Sequence, residues 1–137
     1  MLFLGANDVL RYGAGATKPL VTGTETARNL AEMRRQAAAA GAGVIWMTPT
    51  SCNPGRIAAY PPFQGQQIWL EPGDLRAVDD AIRTTASDGD MVVDLSDAFG
   101  NPPDTGLLRA DGLHPTLAGQ KAIARRFVQR LAGSSQA

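Results

Sequence analysis

The sequence predicts an α/β domain with a parallel sheet, and three observations support this fold class. Residues 1–4, 44–48 and 91–95 are continuous apolar runs, which are typical of strands buried on both faces of a parallel sheet. A helical pattern follows each run, so the order is strand, loop and helix, three times over. Strands joined through helical crossovers lie parallel to one another. At 137 residues, 44% of them hydrophobic, the chain fits a single domain, residues 1–137.

The first predicted strand and helix are separated by a loop. Residues 1–4 end at Gly5, and residues 11–23 are rich in glycine, threonine and proline without periodicity, which predicts a long surface loop. Thr22 and Glu25 have the spacing of a capping box, which predicts that a helix begins there. The apolar positions of this helix repeat at helical intervals, at Leu30, Met33 and Ala37.

The second and third units repeat this order. The strand at residues 44–48 leads into residues 51–72, a proline-containing segment that predicts a second long loop. Residues 74–86 have the apolar spacing of a helix, and the strand at residues 91–95 follows them. A last amphipathic helix is predicted at residues 116–131, with one apolar stripe and one face rich in arginine.

Composition and charge exclude several classes of function. Thirteen Lys and Arg residues balance thirteen Asp and Glu residues, so the chain lacks the positive charge that binds nucleic acid. The apolar runs are far shorter than the roughly 20 residues that a membrane span needs. The single cysteine, Cys52, excludes an internal disulfide, and no signal peptide is predicted at residues 1–4. These observations leave the compartment open.

The first polar cluster of interest is the segment Asp111-Gly-Leu-His114, which contains the only histidine of the chain. Side chains three residues apart on a turn can meet, so the carboxylate can hold one imidazole nitrogen and leave the other free as a general base. In the alternative interpretation, the two residues only cap and brace the start of the last helix.

The second polar cluster is Gly5-Ala-Asn7-Asp8, directly after the first strand. Gly5 permits a close approach of the backbone, and the amide of Asn7 can donate a hydrogen bond to an oxyanion. An ordinary turn at the end of a strand would use the same residue types. Because chemistry in parallel sheets collects at the carboxyl ends of the strands, both clusters are expected at that edge.

Together, the two clusters resemble signature blocks of the SGNH hydrolases, also called the GDSL esterase/lipase family. Thr26, Asn29 and Leu30, the strands at 44–49 and 92–95, and Ala118-Gly-Gln also look like family segments. The resemblance implies a three-layer α/β/α sandwich of the flavodoxin-like type. It also implies hydrolysis of small-molecule acyl esters, as in an esterase, lipase or acetyl esterase, without metal or organic cofactor. His114 would be the base, Asp111 would orient it, and Asn7 with Gly5 would serve the oxyanion hole.

The nucleophilic serine of that family lies in a Gly-Asp-Ser-Leu block that has no counterpart in this sequence. The resemblance therefore implies an N-terminally incomplete domain that lacks its first strand or strands. Four explanations stay open: a truncated product, a serine supplied by a second chain or complementing N-terminal fragment, a degenerate lipid- or carbohydrate-binding or oligomerising module, and a recruited nucleophile. Ser51 and Cys52 are the candidates for recruitment, and turn or packing roles are the alternative for both.

Two further expectations concern the surface of the domain. Tyr60, Phe63 and Trp69 could line an acyl or aromatic substrate pocket, although such residues also pin loops onto a domain. The strand from Met1 to Leu4 would form an unpaired hydrophobic edge if the preceding strands are missing. Edges of that kind pair with other chains, so a homo-oligomer built around this strand is predicted.

Overall fold

The computed structural model describes residues 1–134 and consists of five strands and five helices. The strands are β1 (Leu2–Phe3), β2 (Leu10–Tyr12), β3 (Ile45–Met47), β4 (Ile68–Leu70) and β5 (Met91–Val93). The helices are α1 (Gly23–Ala39), α2 (Pro54–Ala59), α3 (Pro61–Gln64), α4 (Pro72–Thr85) and α5 (Leu117–Ser134). None of these described helices is long and apolar enough to cross a membrane.

The central sheet is parallel, with the strand order β1-β3-β5, which confirms the predicted fold class. Trp46 of β3 lies between Leu2 of β1 and Val92 of β5 in the register of the sheet. All three strands were expected from their apolar runs, and the hydrogen-bonded parts are shorter than those runs. Helices cover both faces of the sheet.

Two apolar clusters lie on opposite faces of the sheet. The first contains Trp46 together with Leu30 of α1 and Val78 of α4, and these two helices pack against each other. The second contains Met47 and Val93, against which Ile123 and Phe127 of α5 pack. Trp46 and Met47 are neighbours in one strand, so the alternation of side chains sends them to different faces. The result is a three-layer α/β/α arrangement.

A second, antiparallel sheet corrects the prediction of two long loops. Strand β2 pairs with β4, with Leu10 opposite Leu70 and Tyr12 opposite Ile68. Strand β2 overlaps the start of the predicted loop at residues 11–23, and β4, α2 and α3 lie within the predicted loop at residues 51–72. Strands of three residues are too short to show a period of two, and the flanking glycines and prolines concealed them.

The helix starts follow local sequence signals. The capping box at Thr22 is confirmed, because Thr22 Oγ1 accepts the backbone N–H of Glu25 and the Glu25 carboxylate accepts the N–H of Thr22. Helix α2 begins after Asn53, whose side chain accepts the N–H of Arg56. Helix α4 begins at Pro72, two residues before the predicted start, since proline is favoured in the first turn.

Candidate active site

A tight turn before α5 brings Asp111 and His114 together. The imidazole Nδ1 of His114 lies 2.8 Å from Asp111 Oδ2, and Asp111 Oδ1 accepts the backbone N–H groups of Leu113 and His114, both at 2.9 Å. Gly112 allows this turn, since its φ is +71° and a Cβ there would lie 2.6 Å from Arg56 Cβ. The structure therefore contains the Asp–His pair that the spacing predicted.

Asp111 and His114 differ in exposure, and this difference shapes their electrostatics. The side chain of Asp111 is 11% exposed, whereas that of His114 is 56% exposed. Burial alone would raise the pKa of Asp111, but the hydrogen bonds from Leu113 N, His114 N and the imidazole outweigh it and lower the pKa. An ionised carboxylate favours a proton on Nδ1 of His114, which leaves the lone pair of Nε2 available as a base.

The structure brings the two predicted polar clusters to one cavity of about 380 Å³. His114 lines this cavity together with Gly5 and Asn7, as the topology of a parallel sheet predicts. The other residues of the lining are mostly apolar: Phe3, Leu4, Ala6, Asp8, Pro49, Thr50, Leu113, Pro115 and Ile123. A base and two candidate oxyanion donors thus share a concave, mainly apolar site, which we call the His114 cavity.

The loop that carries Asn7 is fixed by close packing and by a hydrogen bond to α1. Gly5 has a φ of +102°, and a Cβ at this position would lie 2.6 Å from Val78 Cγ1, so only glycine fits without displacement. The buried Thr26 donates its hydroxyl to Asp8 Oδ2 at 3.1 Å. These contacts fix the backbone on both sides of Asn7, which is itself exposed and lines the cavity.

Ser51 and Cys52 line a second cavity, of about 690 Å³, and not the His114 cavity. The Ser51 hydroxyl donates to the carbonyl oxygen of Gly100 at 3.1 Å. Burial raises the pKa of Cys52 to about 11, which leaves little thiolate near neutral pH. The structure does not place either candidate nucleophile together with His114.

The three aromatic residues lie around the smaller sheet. Trp69 is part of β4, donates its indole N–H to Gly13 O at 3.3 Å and lies under the guanidinium of Arg11. Tyr60 and Phe63 make an edge-to-face contact with ring centroids 5.0 Å apart. None of these aromatic residues lines either cavity, and their contacts match the alternative in which they pin a surface segment.

Thr50 is a cavity residue that the sequence reasoning missed. It follows the end of β3 and lines the His114 cavity, whereas its neighbour Ser51 lines the other one. Its position directly after the predicted strand could have indicated this, because polar side chains at the carboxyl end of a parallel strand tend to line the site. Within residues 1–134, no group of three or more His, Cys, Asp or Glu side chains could hold a metal ion.

Comparison with known proteins gives one family match and no curated relative. The model of the GDSL-like Lipase/Acylhydrolase family matches residues 1–122, which include both polar clusters. No curated protein matches the chain. The match covers β1 through the first turns of α5, and therefore every residue of the His114 cavity except Ile123.

Proposed function

Because the chain belongs to the GDSL-like lipase/acylhydrolase family, we propose that it takes part in the hydrolysis of carboxylic esters at the His114 cavity. The family supports a general ester hydrolase function. The observation that carries the assignment of residues is the hydrogen bond between Asp111 and His114, because His114 lines the same cavity as Gly5 and Asn7.

In this proposal His114 is the general base. Its Nε2 removes the proton from the hydroxyl group that attacks the ester carbonyl, and Asp111 stabilises the imidazolium that forms. The imidazolium then gives this proton to the departing alkoxide as the ester C–O bond breaks. The acyl group is then bonded to the attacking oxygen. Water gives a proton to His114 and adds to the acyl carbon, the bond to the attacking oxygen breaks, and the imidazolium returns the proton to that oxygen. The products are a carboxylic acid and an alcohol.

Asn7 and Gly5 are the proposed oxyanion donors. The carbonyl oxygen gains negative charge when the nucleophile adds, and N–H donors fixed in advance stabilise that charge without reorganisation. The backbone of Gly5 is held against Val78, and the Asn7 loop is tied to Thr26, so both donors sit on a rigid support. Loss of one such donor typically costs a factor of about 100 to 1,000 in rate.

We propose that the nucleophile is a serine supplied by a second chain or by a complementing N-terminal fragment. Within residues 1–134, no serine or cysteine lines the His114 cavity. Strand β1 pairs only with β3 in the described sheet, and Phe3 at its free edge lines the cavity. A strand added beside β1 would carry its last residue to this cavity, because parallel strands end at the same edge.

The experiment compares hydrolysis of an activated ester, p-nitrophenyl acetate, by the chain and by His114→Ala. With water as nucleophile, the chain should retain slow hydrolysis that depends on the base, and His114→Ala should lower kcat/KM about 100-fold or more. An Asp88→Asn variant, altered at an exposed loop position outside both cavities, is the control. Equal rates for His114→Ala and the unmodified chain would contradict the proposal.

A fluorophosphonate probe with peptide mapping tests the source of the nucleophile. The proposal predicts no adduct on any serine of the chain. A stoichiometric adduct on Ser51 that disappears in His114→Ala would instead show recruitment of that residue.

A second candidate is a binding module that uses the same cavity without turnover. The feature that favours it is the absence of a serine or cysteine from the cavity lining in residues 1–134. In that case p-nitrophenyl acetate hydrolysis would not depend on His114, and a long-chain alcohol would still raise the Tm of the chain.

A further inference from the structure

The larger cavity, which we call the Asp79 cavity, is lined by Ser51, whereas Thr50 lines the His114 cavity and Pro49 lines both. Its volume is about 690 Å³, within the range of small-molecule sites. Much of its wall is apolar and is formed by Leu75 and five prolines: Pro49, Pro54, Pro72, Pro102 and Pro103. Proline rings give a rigid wall, so an apolar ligand body could be bound without ordering flexible side chains.

Asp79 is the unexplained group of this cavity. It lies on α4, is only 9% exposed, and lines the cavity. Its Oδ1 is buried and accepts no hydrogen bond from any residue that the structure describes. Buried polar atoms without a partner are rare, and each costs free energy that a donor would recover.

Two arginines, Arg76 and Arg83, also line the cavity, and neither donates a hydrogen bond to Asp79 Oδ1. Arg83 follows Asp79 by one helical turn and could reach it, but its Nη2 donates to Asp94 Oδ2 at 2.7 Å. Asp80 also lines the cavity and adds a second negative charge beside Asp79. A buried carboxylate next to another acid is best compensated by a cation.

We propose that the Asp79 cavity binds a small organic amine, with the ammonium group against the Asp79 carboxylate and the apolar body against the proline wall. An ammonium group would add N–H donors and a positive charge beside Asp79, whose charge Arg83 compensates only in part because it is also paired with Asp94. This site is separate from the His114 cavity, and it goes beyond the proposed ester hydrolysis. Its failure would leave the assignment of His114 unchanged.

Cys52 provides the readout, because it lines the same cavity and is the only cysteine of the chain. The experiment measures the rate at which 4,4′-dithiodipyridine modifies Cys52, at about pH 8, in the presence of cyclohexylamine. Aliphatic amines are protonated at this pH, as lysine is. Cyclohexanol has the same ring without the charge and is the matched control ligand.

The proposal predicts that cyclohexylamine slows the modification in a saturable way. If the bound amine shields the thiol, the rate falls about tenfold when the amine is at ten times its Kd. Cyclohexanol should protect at least tenfold less at the same concentration. Asp79→Asn should lose the protection by cyclohexylamine, and Asp88→Asn, which alters an exposed residue outside the cavity, should keep it.

Three results would overturn the proposal. Equal protection by cyclohexanol would mean an apolar site in which the carboxylate has no role. Unchanged protection in Asp79→Asn would place the amine elsewhere. No protection by cyclohexylamine at any concentration up to its solubility would mean that the cavity does not bind amines. The thermal unfolding of Asp79→Asn, monitored by circular dichroism, establishes that this variant is folded before its modification is compared.

Discussion

Replacing Asp79 by asparagine should stabilise the protein above about pH 6 and have little effect near pH 4. The pKa of Asp79 is raised from the usual 3.8 to about 6, mainly by burial, with Arg83 lowering it and Asp94 and Asp80 adding to the increase. Between about pH 3.8 and pH 6, the Asp79 carboxyl is protonated in the folded protein and ionised in the unfolded chain. Stability from this group is therefore greatest at low pH and falls as the pH rises through about 6.

The size of the effect follows from the shift. A difference of roughly two pKa units corresponds to about 3 kcal/mol, at about 1.4 kcal/mol per unit. Water that enters the adjoining cavity reduces this figure, so a gain of about 1 to 3 kcal/mol is expected for Asp79→Asn near pH 8. Asparagine has the same shape without the charge, so packing around Val78 and Ile82 should be preserved.

Urea unfolding at about pH 4, 6 and 8 measures the difference directly, provided that the m-value stays constant. Asp80→Asn is the matched control, because Asp80 is exposed and adjacent on the same helix, and its replacement should change stability by less than about 0.5 kcal/mol. A difference between Asp79→Asn and the unmodified chain that stays the same at all three pH values would refute the reasoning, as would destabilisation near pH 8.

Three other variants test the remaining parts of the structure. Asp111→Asn should lower His114-dependent hydrolysis of p-nitrophenyl acetate by about 100-fold or more, because the imidazole loses the partner that fixes its tautomer; an unchanged rate would remove Asp111 from the mechanism. Gly5→Ala should lower Tm and the free energy of unfolding by about 2 kcal/mol or more, since the new Cβ meets Val78 and φ is positive; a change under 0.5 kcal/mol measured by urea unfolding would contradict the geometry. Phe3→Lys should shift the proposed homo-oligomer toward monomer, because a charge at the free edge of β1 opposes strand pairing; light scattering that shows a monomer for the unmodified chain at micromolar concentration would exclude the oligomer.

The sequence predicts the central sheet well because its three strands are marked by hydrophobic runs that no neighbouring segment shares. The strand order and the register that puts Trp46 between Leu2 and Val92 were not predicted, because both depend on packing between segments distant in sequence. The smaller sheet was missed because Leu10–Tyr12 and Ile68–Leu70 are short and distant in sequence, and only pairing across nearly 60 residues defines them. Hydrophobic patterns within a short window of sequence carry no information about pairing between distant segments.

The candidate site shows the same division between local and tertiary information. The contact of Asp111 with His114 is local, and the three-residue spacing was sufficient to predict it. The meeting of His114 with Asn7 required only the rule that parallel strands end at one edge. The placement of Ser51 and Cys52 required more, because the path of the loop after the strand decides which cavity its side chains line, and these two line a cavity other than that of His114.

Asp111 and Asp79 are both buried, and they differ in whether folding gives the carboxylate hydrogen-bond donors. Asp111 receives two backbone N–H groups and an imidazole, and these donors lower its pKa despite burial. Asp79 receives no donor at Oδ1, and burial raises its pKa. A satisfied carboxylate suits the fixed role of orienting His114, which needs no change of partner during a reaction. An unsatisfied carboxylate beside a cavity suits a partner that arrives from solution, because only then is the free-energy cost of its burial recovered.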